Sequence, residues 1–270
     1  MSRSPPSRAA RRAVLAIDRQ QLAWTRDTAT GIPSFASCSY LGGRPLDLRD
    51  AVDGVRPGMI NLIAGNDLAL HWVQTPPAAL ASFAELKLVA QARCVHLHGG
   101  TPSEWRIAAD WRADRPFVCA ALPAPVCTQI EQLLLPYRLV PRWHSAWSVL
   151  SSGMAQAFPA DGWTAVRSPS RVVLWHCREA QVDCMATWGV DPQQNGASAA
   201  RTAIQQKQLE IARFGHAAGK LHWLDLGART DDSAPGADLV SIRMDQGLSQ
   251  DRCADLSEAA AALSLRRMLS

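Results

Sequence analysis

Several things are scarce in this 270-residue sequence, and each scarcity excludes something. No uninterrupted apolar run approaches the roughly 20 residues of a bilayer-spanning helix, so membrane association is expected only through a partner or the surface. The first apolar run stops at Asp18, too early for an export signal, although a basic segment precedes it. Lysine is scarce and arginine supplies most of the 28 basic side chains. No lysine-rich run or basic stripe with interleaved aromatics occurs, which argues against a nucleic-acid footprint. The seven cysteines are odd in number and form no CxxC pair, a pattern that fits reduced, mostly buried thiols in the cytosol. There is no internal repeat at solenoid period.

What is present belongs to a globular protein. The hydrophobic fraction is 47%, the charged fraction 19% and the net charge +4, enough apolar content for one large or two small domains. Residues 1–12 read as a polar, basic tail. Short apolar runs then predict strands at 13–17, 22–25 and 35–41 and a short helix over 46–52. Runs at 59–64 and 68–73 flank Gly65-Asn66-Asp67, which predicts a hairpin. A helix is expected over 78–93, strands at 94–97, 105–110 and 117–122, a helix over 125–137, a strand at 139–141 and a helix over 143–152. After Phe158-Pro159-Ala160-Asp161-Gly162 the pattern restarts. It gives a meander (163–166, 171–177, 181–188), a helix over 197–214 closed by glycine, strands at 221–226 and 239–244, and a last helix from Asp255.

The segment 13–25 has the outline of strand, acidic turn, strand. A turn that cradles phosphate needs glycine after the acid, because only a residue without Cβ lets the backbone approach closely. Arg19 and Gln20 stand there instead.

The order of elements resembles the actin-like ATPase fold. Within it, the sequence resembles the PilM family of type IV pilus assembly and its relative, the GspL cytoplasmic domain of type II secretion. Val14-Leu15-Ala16-Ile17-Asp18 sits where that family has its first phosphate-loop strand. Leu68–Pro77 resembles the step into its inserted subdomain, and 117–150 the closing part of its first domain. Ser257–Arg266 resembles its terminal helix. The resemblance implies an α/β, actin-like (ribonuclease H-like) two-domain fold with a trimmed second domain. It would comprise a first domain over 13–153, with an insertion at about 66–115, and a second over 154–270.

The departures from the family pattern point one way. Nucleotide-binding members carry Asp-x-Gly in both phosphate loops. The first loop keeps Asp18 but has Gln20 in place of glycine; the second, expected within Val172–Glu179, has neither residue. Leu224–Ala228 has one glycine where the adenosine region has a pair, and the terminal glycine has become Ala262 or a neighbour. Together these losses imply relic phosphate-loop positions at Asp18 and Gln20, no cofactor and no catalytic residue. The expectation is a cytoplasmic scaffold, peripheral to the inner membrane, that docks the short cytoplasmic segment of a PilN-like inner-membrane partner. The alternative is an ATP-dependent phosphotransferase of the same superfold.

Two residue groups carry further expectations. Cys94, His96 and His98 would share one face of a strand, since side chains alternate with period 2, and zinc accepts such ligands. That is the zinc-enzyme alternative, although no paired motif supplies a fourth ligand, and His176-Cys177 is too remote to assign to it. A Cys–His nucleophile is conceivable but no pair is fixed in geometry. Among ten tryptophans, Trp72, Trp105 and Trp111 fall in the stretch resembling the inserted subdomain. Exposed there, they would anchor a peptide; otherwise they are core.

Overall fold

The computed structural model describes residues 13–18, 21–26, 34–39, 48–53, 55–80, 82–153, 158–168, 170–191, 194–226 and 239–241. In chain order its elements are β1 (Ala13–Ile17), β2 (Gln21–Arg26), β3 (Ser34–Ser39), α1 (Arg49–Val52), β4 (Gly58–Ala64), β5 (Leu70–Gln74), α2 (Phe83–His98) and β6 (Trp105–Ala109). There follow β7 (Phe117–Pro123), α3 (Ala124–Leu134), β8 (Leu139–Ser145), α4 (Ala146–Gly153), β9 (Gly162–Arg167), β10 (Arg171–Arg178), β11 (Gln181–Gly189), α5 (Gly196–Phe214), β12 (Leu221–Asp225) and β13 (Leu239–Ser241).

The two five-stranded sheets share one plan. Strand order is β3-β2-β1-β4-β8 in the first and β11-β10-β9-β12-β13 in the second. In each, the first three strands in sequence are antiparallel neighbours, and the last two add in parallel. The chain therefore contains the same sheet twice, a duplication that the sequence does not display. A third, antiparallel sheet, β5-β7-β6, is inserted in sequence between β4 and β8.

Period-2 alternation divides each large sheet between two cores. Leu15, Ile17, Leu22 and Trp24 pack with Leu62, α1 and α3 on one face of the first sheet. Ala16, Ala23 and Ile63, on its other face, meet α4 and the Val166, Val173, Trp175 and Leu224 side chains of the second sheet. Strands buried on both faces read as continuous apolar runs, which is what β4 and β10 show. α5 lays Ala199, Ala200 and Ala203 on Trp163, Leu174 and Trp223 of the second sheet's outer face. Small residues there let the helix lie close to large ones. Asn195 caps its start, accepting from Ser198 N–H at 2.8 Å, and left-handed Gly215 ends it.

The structure corrects several expectations. Residues 94–97 are not a strand but the last turn of α2. Ser82 caps that helix, and no breaker intervenes before Gly99. β4 and β5 are not a hairpin: β4 pairs with β1 and β8, β5 with β7. Gly65 accepts from Leu68 and Ala69, so the turn coils helically and carries the chain into another sheet. β8 runs on to Ser145, whose hydroxyl accepts from Ser148 N–H, so α4 begins later than periodicity suggested. Pro141 is tolerated because β8 is an edge strand. The expected helix from Asp255, with Ala262, lies outside the described residues.

Candidate functional site

The duplicated sheet identifies two equivalent turns, β1–β2 and β9–β10, where a nucleotide-binding member of the fold would hold phosphate. In the first, Asp18 follows β1, and Gly65 N–H donates to Ile17 C=O at 2.8 Å. A Cβ on Gly65 would stand 3.0 Å from the Asp18 Cβ and 3.0 Å from an Asp67 carboxylate oxygen, so the start of the turn is close-packed. Gln20 lies outside the described residues.

The second turn is not where sequence reasoning put it. Val172–Glu179 forms the body of β10 and its exit; the turn equivalent to the first joins Arg167 to Arg171. It closes on itself, with Ser168 N–H and Oγ both donating to Arg171 C=O, at 2.7 and 2.9 Å. Arg167 is committed elsewhere: its guanidinium pairs with Asp225 at 3.1 Å and donates to Gln194 C=O. The sequence of this turn, Arg167-Ser168-Pro169-Ser170-Arg171, contains neither an acid to position a metal nor a glycine.

The three tryptophans have different fates. Trp72 is 3% exposed in the core between α2 and the three-stranded sheet, which corrects its reading as a surface anchor. Trp105, half-buried, donates from Nε1 to Gly99 C=O at 3.0 Å and so ties the end of α2 to β6. Trp111, also half-buried, has φ 49° and stands edge-on to Phe83 at 5.7 Å. Lys87 Nζ sits 4.6 Å from the Phe83 centroid and 5.8 Å from that of Trp111. Phe83 and Leu88 are largely exposed beside them. β6 is an edge strand, paired only with β7 among the described residues.

His71 joins the inserted sheet to the second half. It is buried, lies tilted against Trp147 with ring centroids 5.6 Å apart, and Trp147 in turn stands edge-on to Trp175 of β10. Neither ring nitrogen of His71 has a hydrogen-bond partner. Burial, then the charges of Arg171 and His98, push its pKa down to about 3.

The zinc trio of Cys94, His96 and His98 does not assemble. On a helix, residues two apart diverge by about 200°; Cys94 is buried, His96 exposed, and His98 packs against Trp72 and Trp105. The thiols of Cys94, Cys119, Cys127, Cys177 and Cys184 are free and buried, and burial raises each pKa to about 11 or 12. Such thiols are poor nucleophiles. A group that sequence reasoning did not assemble is His176, Asp183 and His216, whose donor atoms lie within 4.8 Å of one another. The residues come from two strands and the segment after α5, and only the His176-Cys177 pair stood out in sequence.

No protein-family model matches the sequence, and no curated protein is a match. Solved structures do match. One is a PilM-PilN type IV pilus biogenesis complex, with TM-score 0.59 and 11% identity over 96% of this chain and 98% of that one. Another is the cytoplasmic domain of EpsL, an inner-membrane component of the Vibrio cholerae type II secretion system, with TM-score 0.51 and 10% identity over 96% and 94%. At such identities the likeness speaks to fold. The chain has the actin-like fold, in the arrangement of PilM and cytoplasmic EpsL.

Proposed function

We propose that this protein is a non-catalytic scaffold of a type IV pilus or type II secretion-like assembly, holding the short cytoplasmic segment of a PilN-like inner-membrane protein. The observation that carries the reading is the state of the two equivalent turns. One has Gln20 where glycine is needed; the other is closed on itself, with Arg167 already paired to Asp225. The fold likeness to a PilM-PilN complex along nearly the whole chain supports the same reading. No described helix is long and apolar enough to cross a membrane; in this reading the partner provides the attachment.

The docking site belongs on the inserted subdomain. β6 has no second strand partner among the described residues, so an extended peptide can pair along its outer edge, and Trp111, Phe83 and Lys87 form an aromatic and cationic corner nearby. Trp111 and Trp105 remain as anchors; Trp72 supports them from the core.

The test is thermal unfolding with and without millimolar Mg-ATP, alongside calorimetry with the N-terminal cytoplasmic peptide of a PilN-like protein from the same genome. A ligand at about 100 times its Kd stabilises by roughly 2.7 kcal/mol, a shift of several degrees in Tm. The scaffold reading expects no shift with Mg-ATP and saturable peptide binding. A shift with Mg-ATP returns the phosphotransferase reading, and absence of peptide binding removes the docking role.

A further inference from the structure

The geometry points to a zinc-binding site, independent of the scaffold reading, formed by His176, Asp183 and His216 beneath the C-terminal end of α5. His176 projects from β10 on the face that α5 covers. Its β11 partner across the sheet is Cys184, while Cys177 pairs with Val182, leaving Asp183 in a bulge. Regular pleating would send Asp183 to the opposite face; the bulge turns its carboxylate onto the face of His176. His216 follows Gly215, the left-handed residue that ends α5 and returns the chain towards the sheet.

The three side chains are then close together and held in place. His176 Nδ1 lies 2.7 Å from Asp183 Oδ1, and His216 Nδ1 lies 3.7 Å from Asp183 Oδ2. The two imidazoles stack at 4.7 Å with 28° between their planes. Trp163 packs against both rings, and its indole N–H donates to Ala217 C=O at 3.1 Å, fixing the segment that carries His216. Rotamers locked by neighbours in this way are what a metal site requires.

Two observations favour an ion over a plain hydrogen-bond network. His216 Nδ1 is buried and has no hydrogen-bond partner, a costly state for a nitrogen that points at a carboxylate beyond bonding distance. The donor set is also apt: two imidazoles and one carboxylate match zinc, whose donors at about 2 Å bonds stand about 3.3 Å apart, within the spread present here. The fourth position falls to water. The C-terminal carbonyls of α5 add partial negative charge, which favours a cation. The opposing group is Arg178, whose Nε lies 3.4 Å from Asp183 Oδ2, but its side chain is largely exposed and free to swing away.

Such an ion would join β10, β11 and the end of α5 in one cross-link. The test uses the full chain, with zinc chloride as probe, read by metal analysis after desalting, by calorimetry and by the visible spectrum of the cobalt(II) form. The expected result is about one equivalent of zinc, a tetrahedral cobalt spectrum, and more than about tenfold weaker binding in His216→Gln and in Asp183→Asn. Arg178→Gln is expected to tighten binding by removing a competing cation, a gain that a merely structural role for Asp183 would not produce. His96→Ala, on the exposed face of α2, should bind as the parent does. Circular dichroism of the metal-free variants checks that each is folded. No stoichiometric zinc in the parent, or undiminished binding in both His216→Gln and Asp183→Asn, overturns the site.

Discussion

Arg167 and Asp225 form a nearly solvent-free ion pair, Nη1 to Oδ2 3.1 Å, at the carboxyl ends of the parallel strands β9 and β12. In sheets of this kind the strand carboxyl ends are where ligands bind. Here the guanidinium spans from Asp225 to Gln194 C=O, just ahead of α5, and holds the helix entry to the sheet. Asp225→Asn leaves that cation buried without its counter-charge and is expected to cost about 3–5 kcal/mol. Replacing both residues, Arg167→Met with Asp225→Leu, is expected to cost far less, because no lone charge remains. Urea unfolding of the three proteins measures this. Equal losses in the single and double variants would mean that the pair is not the source of the cost.

How much of this was legible in sequence depends on the distance over which each feature is written. The apolar runs Val14-Leu15-Ala16-Ile17 and Val172–Cys177 are local, and the strands they predict are present. The closure of α5 by glycine is equally local. Partnership is not: nothing in 59–73 says that β4 pairs with β8, some eighty residues on, instead of with β5. Cys94-Val95-His96-Leu97 was ambiguous between periods, and only the distance to Gly99 decides for helix. The second phosphate turn was misplaced because the equivalence of β1 with β9 is a property of strand order and leaves no residue signature. Three tryptophans look alike in sequence, and burial alone separates Trp72 from Trp111.

Gly65 is a packing glycine. The added methyl of Gly65→Ala would meet the Asp18 Cβ and an Asp67 carboxylate oxygen at 3.0 Å, tighter than nearly all real contacts. One neighbour is close to the backbone of the first turn and cannot swing aside. The substitution is expected to destabilise by about 1–3 kcal/mol, measured as a lower denaturant midpoint with an unchanged slope. A neutral result would mean that the loop gives way easily.

His71 makes the protein acid-sensitive. Unfolded, its imidazole takes a proton near pH 6.5; folded, not until about pH 3, because burial, Arg171 and His98 all oppose the charge. Between those values the unfolded chain binds the extra proton, so stability is full above about pH 6.5 and falls as pH drops. The limiting slope is about 1.4 kcal/mol per pH unit. His98, His216 and His222, also lowered, act with the same sign. His71→Phe keeps a ring against Trp147 without the titration. Its unfolding midpoint should decline less steeply between about pH 7 and about pH 4, and parallel curves for the two proteins would remove His71 as the cause.

Trp72 and Trp111 separate stability from capture. Trp72 packs with Leu86, Ala90 and Phe117 in the core of the inserted subdomain, so Trp72→Ala opens a cavity there and is expected to cost about 3–5 kcal/mol. Trp111 is half-buried, held by Phe83 and Phe117 at the open corner where Lys87 lies across the rings. Trp111→Ala is expected to cost only about 1–2 kcal/mol of stability. Its main effect should be on binding the PilN-like peptide, weakened about tenfold or more, which is about 1.4 kcal/mol. Calorimetry with the peptide, paired with urea unfolding of each variant, reads both quantities. If Trp111→Ala binds like the parent while Phe83→Ala and Lys87→Ala do too, the corner is not the anchor, and the exposed edge of β6 must carry the docking alone.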